Sequence, residues 1–389
     1  MSKFIYSGVI TLGLFSAYAF GASPAPAGSG LVITGYIDVQ HQWGHGILEL
    51  NQNVEMAGHP TGFTVNEGAM VLSDEFQGVE MTVDIPFRST NEIDTTTGEY
   101  AGEESNELEL ATEQAQAYLK YQYDSGFYWQ LGQFDSYFGT ESNDTVDLLF
   151  TDTGILRDFL PRTHTGALVG YSFLPFYVQL LIANPNASTR QPDDQSAEFA
   201  VRLGWSQEPI QAAIGFSYTK TDGQYVVTSP ATEMIDYQPR LLLNTMVQAR
   251  FGKLDFAGEM NIAQSRLETA GTVTGREDHE MVMGYLVQGI FNFNRQFGAG
   301  VRYEYIRNDE TNKFVQAVQN APGTPGITTI TGQNGYVSKL TLGTRYFVND
   351  ELAAKIGVDL YNLNVGTDLP VEGKSITFMQ AAAGMVYDF

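Results

Sequence analysis

The sequence predicts an all-β protein: a transmembrane antiparallel β-barrel of sixteen strands, with short periplasmic turns and long extracellular loops. Three observations predict it. From Leu31 to Phe389, apolar residues alternate with polar or small ones, and each run stops at Gly, Pro, Asn or Asp. A period of two places one set of side chains on each face of a strand. The connections between runs alternate short and long along the whole chain. Strict alternation of this kind in an even-stranded sheet describes an outer-membrane barrel, whose tight turns all face one side and whose loops face the other. Aromatic residues then cluster beside the short turns, where an interfacial girdle would stand.

The chain begins with a short basic start, Met1-Ser2-Lys3, then the mostly apolar run Phe4–Phe20 and the small-x-small site Ala17-Tyr18-Ala19. This pattern reads as a secretory signal peptide over 1–19, with cleavage as late as 22, followed by a small-residue linker over 20–30. No later stretch carries the roughly 18 apolar residues of a membrane helix. The 389 residues include no Cys, so a disulfide framework, a thiolate metal site and a Cys nucleophile are excluded. With 45 Asp and Glu against 21 Lys and Arg, the formal net charge is -24. An acidic chain with no basic stripe is a poor partner for nucleic acid.

The strands are read at 31–42, 63–73, 76–87, 113–123, 126–135, 164–173, 176–184, 196–206, 209–220, 239–251, 253–266, 279–293, 296–308, 333–347, 350–364 and 375–389. Phe63–Ser73 alternates poorly. The short turns fall at Asp74-Glu75, Asp124-Ser125, Leu174-Pro175, Gln207-Glu208, Gly252, Asn294-Arg295 and Val348-Asn349. Within 197–205, Ala197, Phe199, Val201, Leu203 and Trp205 oppose Glu198, Ala200, Arg202 and Gly204. Lipid requires the apolar face, and a wet lumen tolerates the polar one. The last strand ends in Tyr387 and Phe389, with Met379, Ala381, Ala383 and Met385 on the same face. It resembles the C-terminal strand that outer-membrane proteins of Gram-negative bacteria present to the barrel-assembly machinery.

Ser136–Thr163 interrupts the alternation and is too long for a turn; such loops are usually functional. Its apolar residues Leu148, Leu149, Phe150, Ile155, Leu156, Phe159 and Leu160 need a surface to pack on. The expectation is that 136–163 folds into the lumen and narrows it. Glu141, Asp144, Asp147, Asp152 and Asp158 would supply negative charge there, beside Arg157 and Arg162.

Strand parity points further charges inward. The acidic ones are Glu80, Asp84, Glu198, Asp255, Glu259, Glu280 and Glu304. The basic ones are Lys120, Arg202, Arg250, Arg302, Lys339, Arg345 and Lys355. Opposed charges across a water-filled gap would create a transverse field that sets ion preference. The alternative is that they pair with wall neighbours and stiffen the barrel. Arg88–Thr112 reads as a second, acidic loop. His41 and His45 do not converge on a strand, no metal or cofactor is expected, and His164 has no Ser in a supporting context for hydrolysis. Asn143-Asp144-Thr145 and Asn186-Ala187-Ser188 match a glycosylation acceptor by chance in a chain of bacterial character.

Several phrases resemble one family. Gly35-Tyr36-Ile37-Asp38 opens the first strand. Ala117-Tyr118-Leu119, Gly132-Gln133-Phe134 and Phe138-Gly139-Thr140-Glu141 lead into the long loop, and Pro161-Arg162-Thr163-His164-Thr165-Gly166 leaves it. Together they resemble the β-barrel porin-2 (OmpL-like) family of bacterial outer-membrane proteins. The resemblance covers 31–389 in architecture, with its motifs mostly in 113–173. The loop departs from the Ser/Arg-rich segment expected of that family, holding Thr153-Gly154-Ile155-Leu156-Arg157 instead. The resemblance implies a channel in the outer membrane and names no solute.

The expected function is therefore a porin for passive diffusion of small hydrophilic solutes, with some cation preference from the acidic balance. The expected partners are outer-membrane lipid and lipopolysaccharide, the assembly machinery through Phe389, and by architectural analogy two further copies in a homotrimer. The rival reading is a surface-interaction barrel with acidic loops and a plugged lumen. No catalytic residue is expected.

Overall fold

The computed structural model describes residues 31–47, 62–91, 106–111, 114–142, 144–158, 160–184, 195–221, 239–267, 278–308, 335–364 and 375–389. The expected signal peptide, the linker, the acidic stretch 92–105 and Asn186-Ala187-Ser188 lie outside the described residues. The strands are β1 (Val32–Ile47), β2 (Gly62–Phe76), β3 (Val79–Asn91), β4 (Asn106–Leu110), β5 (Gln116–Gln122) and β6 (Phe127–Asp135). After the long loop come β7 (Thr163–Phe173), β8 (Phe176–Ala183), β9 (Gln195–Gln207), β10 (Ile210–Thr221), β11 (Pro239–Phe251) and β12 (Leu254–Leu267). The set ends with β13 (Asp278–Asn292), β14 (Phe297–Asn308), β15 (Gly335–Phe347), β16 (Leu352–Asn364) and β17 (Ser375–Asp388).

Apart from β4 and β5, each strand pairs antiparallel with its neighbours in sequence, and β17 pairs with β1 from Tyr36↔Asp388 to Ile47↔Thr377, so the sheet closes. β4 and β5 lie on the same side of β3: β4 opposes Phe87–Asn91 and β5 opposes Val79–Asp84. They are two parts of one wall strand, which makes the barrel sixteen-stranded as expected. Between them the chain makes a turn in which Gln114 and Ala115 both donate backbone N–H groups to the Ala111 carbonyl.

This corrects one expectation. Arg88–Thr112 is not all loop, because Arg88–Asn91 continues β3 and Asn106–Leu110 pairs back onto it. The Glu-rich composition of 107–109 concealed a strand.

A second correction concerns the first short turn. It lies at Gln77-Gly78, not Asp74-Glu75, since Phe76 pairs with Val79 and Asp74 with Met81. Gln77 has φ 53 and Gly78 φ 81. Positive φ at both central positions gives the two-residue turn whose twist suits a hairpin. The poor alternation of 63–73 also has a cause. The β1–β2 register shifts between Asp38 and Val39, so Asn66 is an extra residue and the faces exchange there.

Burial follows parity. On β10, Ala213, Gly215, Ser217 and Thr219 are buried, while Ile214, Phe216 and Tyr218 are exposed. The exposed apolar set recurs on the other strands, as with Leu203 at 53 % and Ile356 at 58 %. Large apolar side chains face outward while Arg, Lys and Glu are enclosed, which inverts a water-soluble protein and suits lipid. Stacked aromatic pairs stand beside the short turns, among them Phe173–Phe176 and Phe293–Phe297.

The closing seam has its own fit. Gly35 N–H donates to the Phe389 carbonyl at 2.9 Å and Phe389 N–H to the Gly35 carbonyl at 2.8 Å. A Cβ at Gly35 would meet the Ala69 carbonyl and, 2.8 Å away, the Phe389 ring. Only glycine lets the terminal ring lie there. Gly35→Val should therefore overpack the seam by about 1–3 kcal/mol. Heat-dependent gel mobility would read this as a lower temperature for conversion to the unfolded band, with Phe389→Leu a milder case.

Candidate functional site

The loop between β6 and β7 lies inside the barrel. The backbone N–H of Ser136 donates to the Arg162 carbonyl, closing a neck through which the segment enters and leaves. Inside the neck, Phe138, Leu148, Leu149, Phe150, Ile155, Leu156 and Leu160 are all buried. They pack on inward-facing glycines of the opposite wall. A Cβ at Gly215 would strike Phe138, one at Gly284 Leu156, one at Gly343 Phe150, and one at Gly357 Thr151. Glycine at these positions makes a shallow trough in the wall for the loop's apolar side chains. Each such side chain contributes roughly 1.5–3 kcal/mol of burial, so apolar packing drives the docking.

Polar contacts fix where it docks. Glu141 Oε1 accepts from Arg302 Nη1 at 2.6 Å and its Oε2 from Gly154 N–H at 2.7 Å. Asp152 accepts from Arg302 Nη2 at 2.9 Å and from Lys339 Nζ. Glu304 lies 3.2 Å from Arg302 Nε and accepts the Leu156 N–H at 3.0 Å, at the start of the one-turn helix α1 (Ile155–Asp158). Asp359 stands 3.6 Å from Lys339. The Phe150 ring covers the Arg302 guanidinium at 4.6 Å. A buried pair rarely adds net stability but fixes geometry, and the loss of one partner is severe.

Further along, Glu259 Oε2 accepts both the N–H and the hydroxyl of Thr140, at 2.7 and 2.9 Å. Arg202 donates to the Tyr137 carbonyl, and Gln248 and Arg345 to the carbonyls of Thr140 and Leu148. Arg157 folds the return limb by donating to the Pro161 and Arg162 carbonyls at 3.1 and 3.3 Å.

The expected residues thus divide into two groups. Glu141, Asp152, Arg302, Glu304, Lys339, Glu259 and Arg202 bind loop to wall, and the expectation that such charges face each other across an open gap does not describe them. Asp144 stays only partly exposed, toward Glu67, Asp84 and Asp135 on the β2–β3–β6 side, and Asp147 lies beside it with Arg345 and Lys355 near. Lower on the wall, Lys120 pairs with Glu80 at 3.4 Å and Arg250 with Asp255 at 2.7 Å. Lys355 is buried on the inner face of β16. The side chains of Asp158 and Glu280 lie outside the described set.

Ser136 supplies another correction. Its Oγ is 3.1 Å from His164 Nε2, and His164 Nδ1 is 3.7 Å from Glu198 Oε2. A Ser does stand beside His164, in the order of a hydrolytic triad. Yet Ser136 and His164 are both 0 % exposed, enclosed by Tyr137 and Phe138, and Ser136 Oγ also accepts the Phe138 N–H. The set pins the neck of the loop. Parity named His164 as inward, but a separation of 28 positions hid its partner.

Burial raises the Asp144 carboxyl well above its usual range, and Glu67, Asp135, Asp147 and Asp84 push it the same way. Burial would raise Asp152 too, but Lys339 and Arg302 outweigh it and hold it below that range. The unfolded reference for both is about 3.9. The hold from Asp152 is present above that value and is lost as pH falls through its depressed one. The contribution of Asp144 is present below the reference and is lost as pH rises through its raised one.

Protection of 137–160 against amide hydrogen exchange, corrected for intrinsic rates, should therefore peak at mildly acidic pH. Asp144→Asn should flatten the neutral side of that peak. Arg302→Gln leaves three buried carboxylates short of a partner. It should cost docking about 3–5 kcal/mol, seen as loss of the protection at every pH.

Comparison with known proteins agrees with the barrel. Residues 30–385 match the model of the beta-barrel porin-2, OmpL-like family. No curated protein matches the chain by sequence. Among solved structures, the outer-membrane channel DcaP of Acinetobacter baumannii is similar at 10% identity and TM-score 0.54, covering 94% of this chain and 99% of that one. OmpT of Vibrio cholerae in a trimer form is similar at 10% identity and TM-score 0.53, covering 93% and 100%. An anion-selective porin from Comamonas acidovorans is similar at 12% identity and TM-score 0.53, covering 92% and 99%. At such identities the likeness is one of fold.

Proposed function

Since this chain belongs to the beta-barrel porin-2, OmpL-like family and is an outer-membrane channel of Gram-negative type, we propose that it passes small hydrophilic solutes by diffusion, prefers cations, and is narrowed by residues 136–162. The observation that carries this reading is the division of charges around the loop. Arg302 and Lys339 are spent on Glu141, Asp152, Glu304 and Asp359 inside the packed wall. Asp144 remains partly exposed at the loop's other edge, toward Glu67, Asp84 and Asp135, with Asp147 between it and the Arg345 and Lys355 side. A water path beside that edge carries a negative potential, which concentrates cations in a low-dielectric constriction.

The anion-selective porin of similar fold does not weigh against this, because selectivity resides in side chains that the fold does not specify. Support for a channel over a hydrolase comes from the complete enclosure of Ser136 and His164. We extend the reading to a homotrimer, in keeping with the trimer form of Vibrio cholerae OmpT. Phe389 serves as the handle for the assembly machinery, and the outer surface meets lipid and lipopolysaccharide.

Reconstitution in planar bilayers tests the reading. Discrete conductance steps and a reversal potential favouring K⁺ over Cl⁻ in a salt gradient are expected, and Asp144→Asn with Asp147→Asn should shift that potential toward zero. Absence of steps overturns the channel of small solutes, and a potential favouring Cl⁻ overturns the cation preference alone.

A further inference from the structure

Four carboxylates from four separate elements gather on one side of the lumen: Glu67 of β2, Asp84 of β3, Asp135 at the end of β6, and Asp144 of the loop. We propose that they form a binding station for an extended oligoamine, a flexible solute with several ammonium groups. The inference rests on the cation-preferring reading and adds a ligand class to it.

The fold brings these groups together for identifiable reasons. Gln116 on β5 links two of them: its Nε2 donates to Asp84 Oδ2 at 3.4 Å, and its Oε1 accepts the Asp135 N–H at 3.2 Å. The Gln116 side chain thus ties the end of β6 to Asp84 of β3. Asp38 lies opposite Glu67 in the β1–β2 register and accepts from Asn66 and Gln40 at 3.1 and 2.8 Å. That side of the wall is built of acids and amides.

Asp84 is 6 % exposed, and its Oδ1 has no hydrogen-bond partner. A buried carboxylate oxygen without a donor is costly; Gln116 serves the other oxygen, the Tyr36 hydroxyl nearby serves Glu67, and the charged groups acting on Asp84, Asp135 and Glu67, are acids that cannot donate when ionised. Asp144 has the same surroundings: the groups acting on it most strongly are Glu67, Asp135, Asp147 and Asp84. Cations do stand nearby. Lys355 acts on Glu67 and Arg157 on Asp135, but neither is among the principal influences on Asp84 or Asp144. A donor arriving from the lumen would satisfy both.

The spacing selects the kind of donor. Among the described residues, no three acidic or imidazole groups converge closely enough to hold a metal ion. The carboxylates come from four different elements and do not close around one point. Separate ammonium groups on a flexible chain match a set of this kind, each meeting one or two carboxylates. Tyr118, inward on β5 and half-buried near Asp84 and Asp135, offers a ring face to the methylenes or to an ammonium.

Titration calorimetry on the detergent-purified full barrel, with spermine as the probe, tests this. Wild-type protein should bind spermine at least tenfold more tightly than ethylamine or Mg²⁺. Asp84→Asn and Asp144→Asn should each weaken spermine about tenfold, as expected for loss of one charge-assisted hydrogen bond, while Glu351→Gln at an exposed turn should not. Binding should also release protons from Asp144, so the measured heat should vary with the ionisation enthalpy of the buffer. Both Asn variants remove repulsion, and unchanged heat-dependent gel mobility would certify that they fold. No binding of spermine, or equal binding by wild type and both Asn variants, overturns the station. The bilayer reversal potential separates the two readings: a cation-selective channel that ignores spermine loses the station only, and an anion-selective one loses the reading beneath it.

Discussion

Arg302 is where barrel and loop become one structure. Its guanidinium is completely enclosed, and it meets Glu141, Asp152 and Glu304 with Phe150 over its face. Burial of that charge is tolerable only with several hydrogen-bonded carboxylates around it. Two of the three come from the loop, at 141 and 152, and the third from the same strand as Arg302. The planar fork of arginine can serve both at once, which a lysine could not do with the same geometry. The remaining loop contacts follow from this placement. Once Glu141 and Asp152 are held on β14, the chain between them must turn, and Leu148, Leu149 and Phe150 fall onto the glycine trough.

Docking in this way leaves a polarity across the lumen. Near β14 and β15 the fixed charges are paired and dry. Near β2 and β3 they are acids with amides for company, and the loop edge adds Asp144 and Asp147 to them. The formal charge of -24 says little by itself, because much of it belongs to rims and loops. The local arrangement matters more: Arg302 and Lys339 are spent on holding the loop against β14 and β15, while acids predominate on the other side. One set of interactions gives both the shape of the channel and its electrostatics.

The architecture was legible because lipid imposes a strict rule on every strand, and alternation over sixteen runs repeats it. Where the sequence misled, a local device competed with the rule. Asn66 is an extra residue in β2 and scrambled its alternation. Asp74-Glu75 has turn-like polarity, but at a rim strand residues are polar too, and Gln77-Gly78 lacks the Asn or Asp that marks such turns. The loop's burial was legible from Leu148 to Leu160, since apolar residues in an overlong connection need a surface.

What the loop would meet was less legible. Parity identified Arg302, Lys339 and Glu304 as inward but could not pair them with residues some 150 positions away. Inward glycines at 215, 284, 343 and 357 were the available signal. A wet wall has no need of glycine, and a run of it on neighbouring strands marks where something else packs. Ser136, as the partner of His164, was hidden for the same reason as the partners of Arg302.

The wiring also fixes an order of assembly. Besides the bonds from Gln40 of β1, Arg202 of β9 and Gln248 of β11, the charged contacts of the loop are with strands far along the chain: Glu259 on β12, Arg302 and Glu304 on β14, Lys339 and Arg345 on β15. None of these positions exists as a surface until β12 to β16 stand side by side, and their curvature is not set until β17 meets β1. The neck differs, because Ser136, His164 and Glu198 lie within β6 to β9 and can form from neighbouring hairpins. Loop closure costs grow slowly with length, but the partner must be present before the cost is repaid. The neck therefore forms early and holds the loop at the mouth of an unfinished wall, and docking onto Arg302 follows closure. Until then Glu141 and Asp152 remain hydrated, which keeps an acidic, half-apolar segment soluble while the barrel is still open.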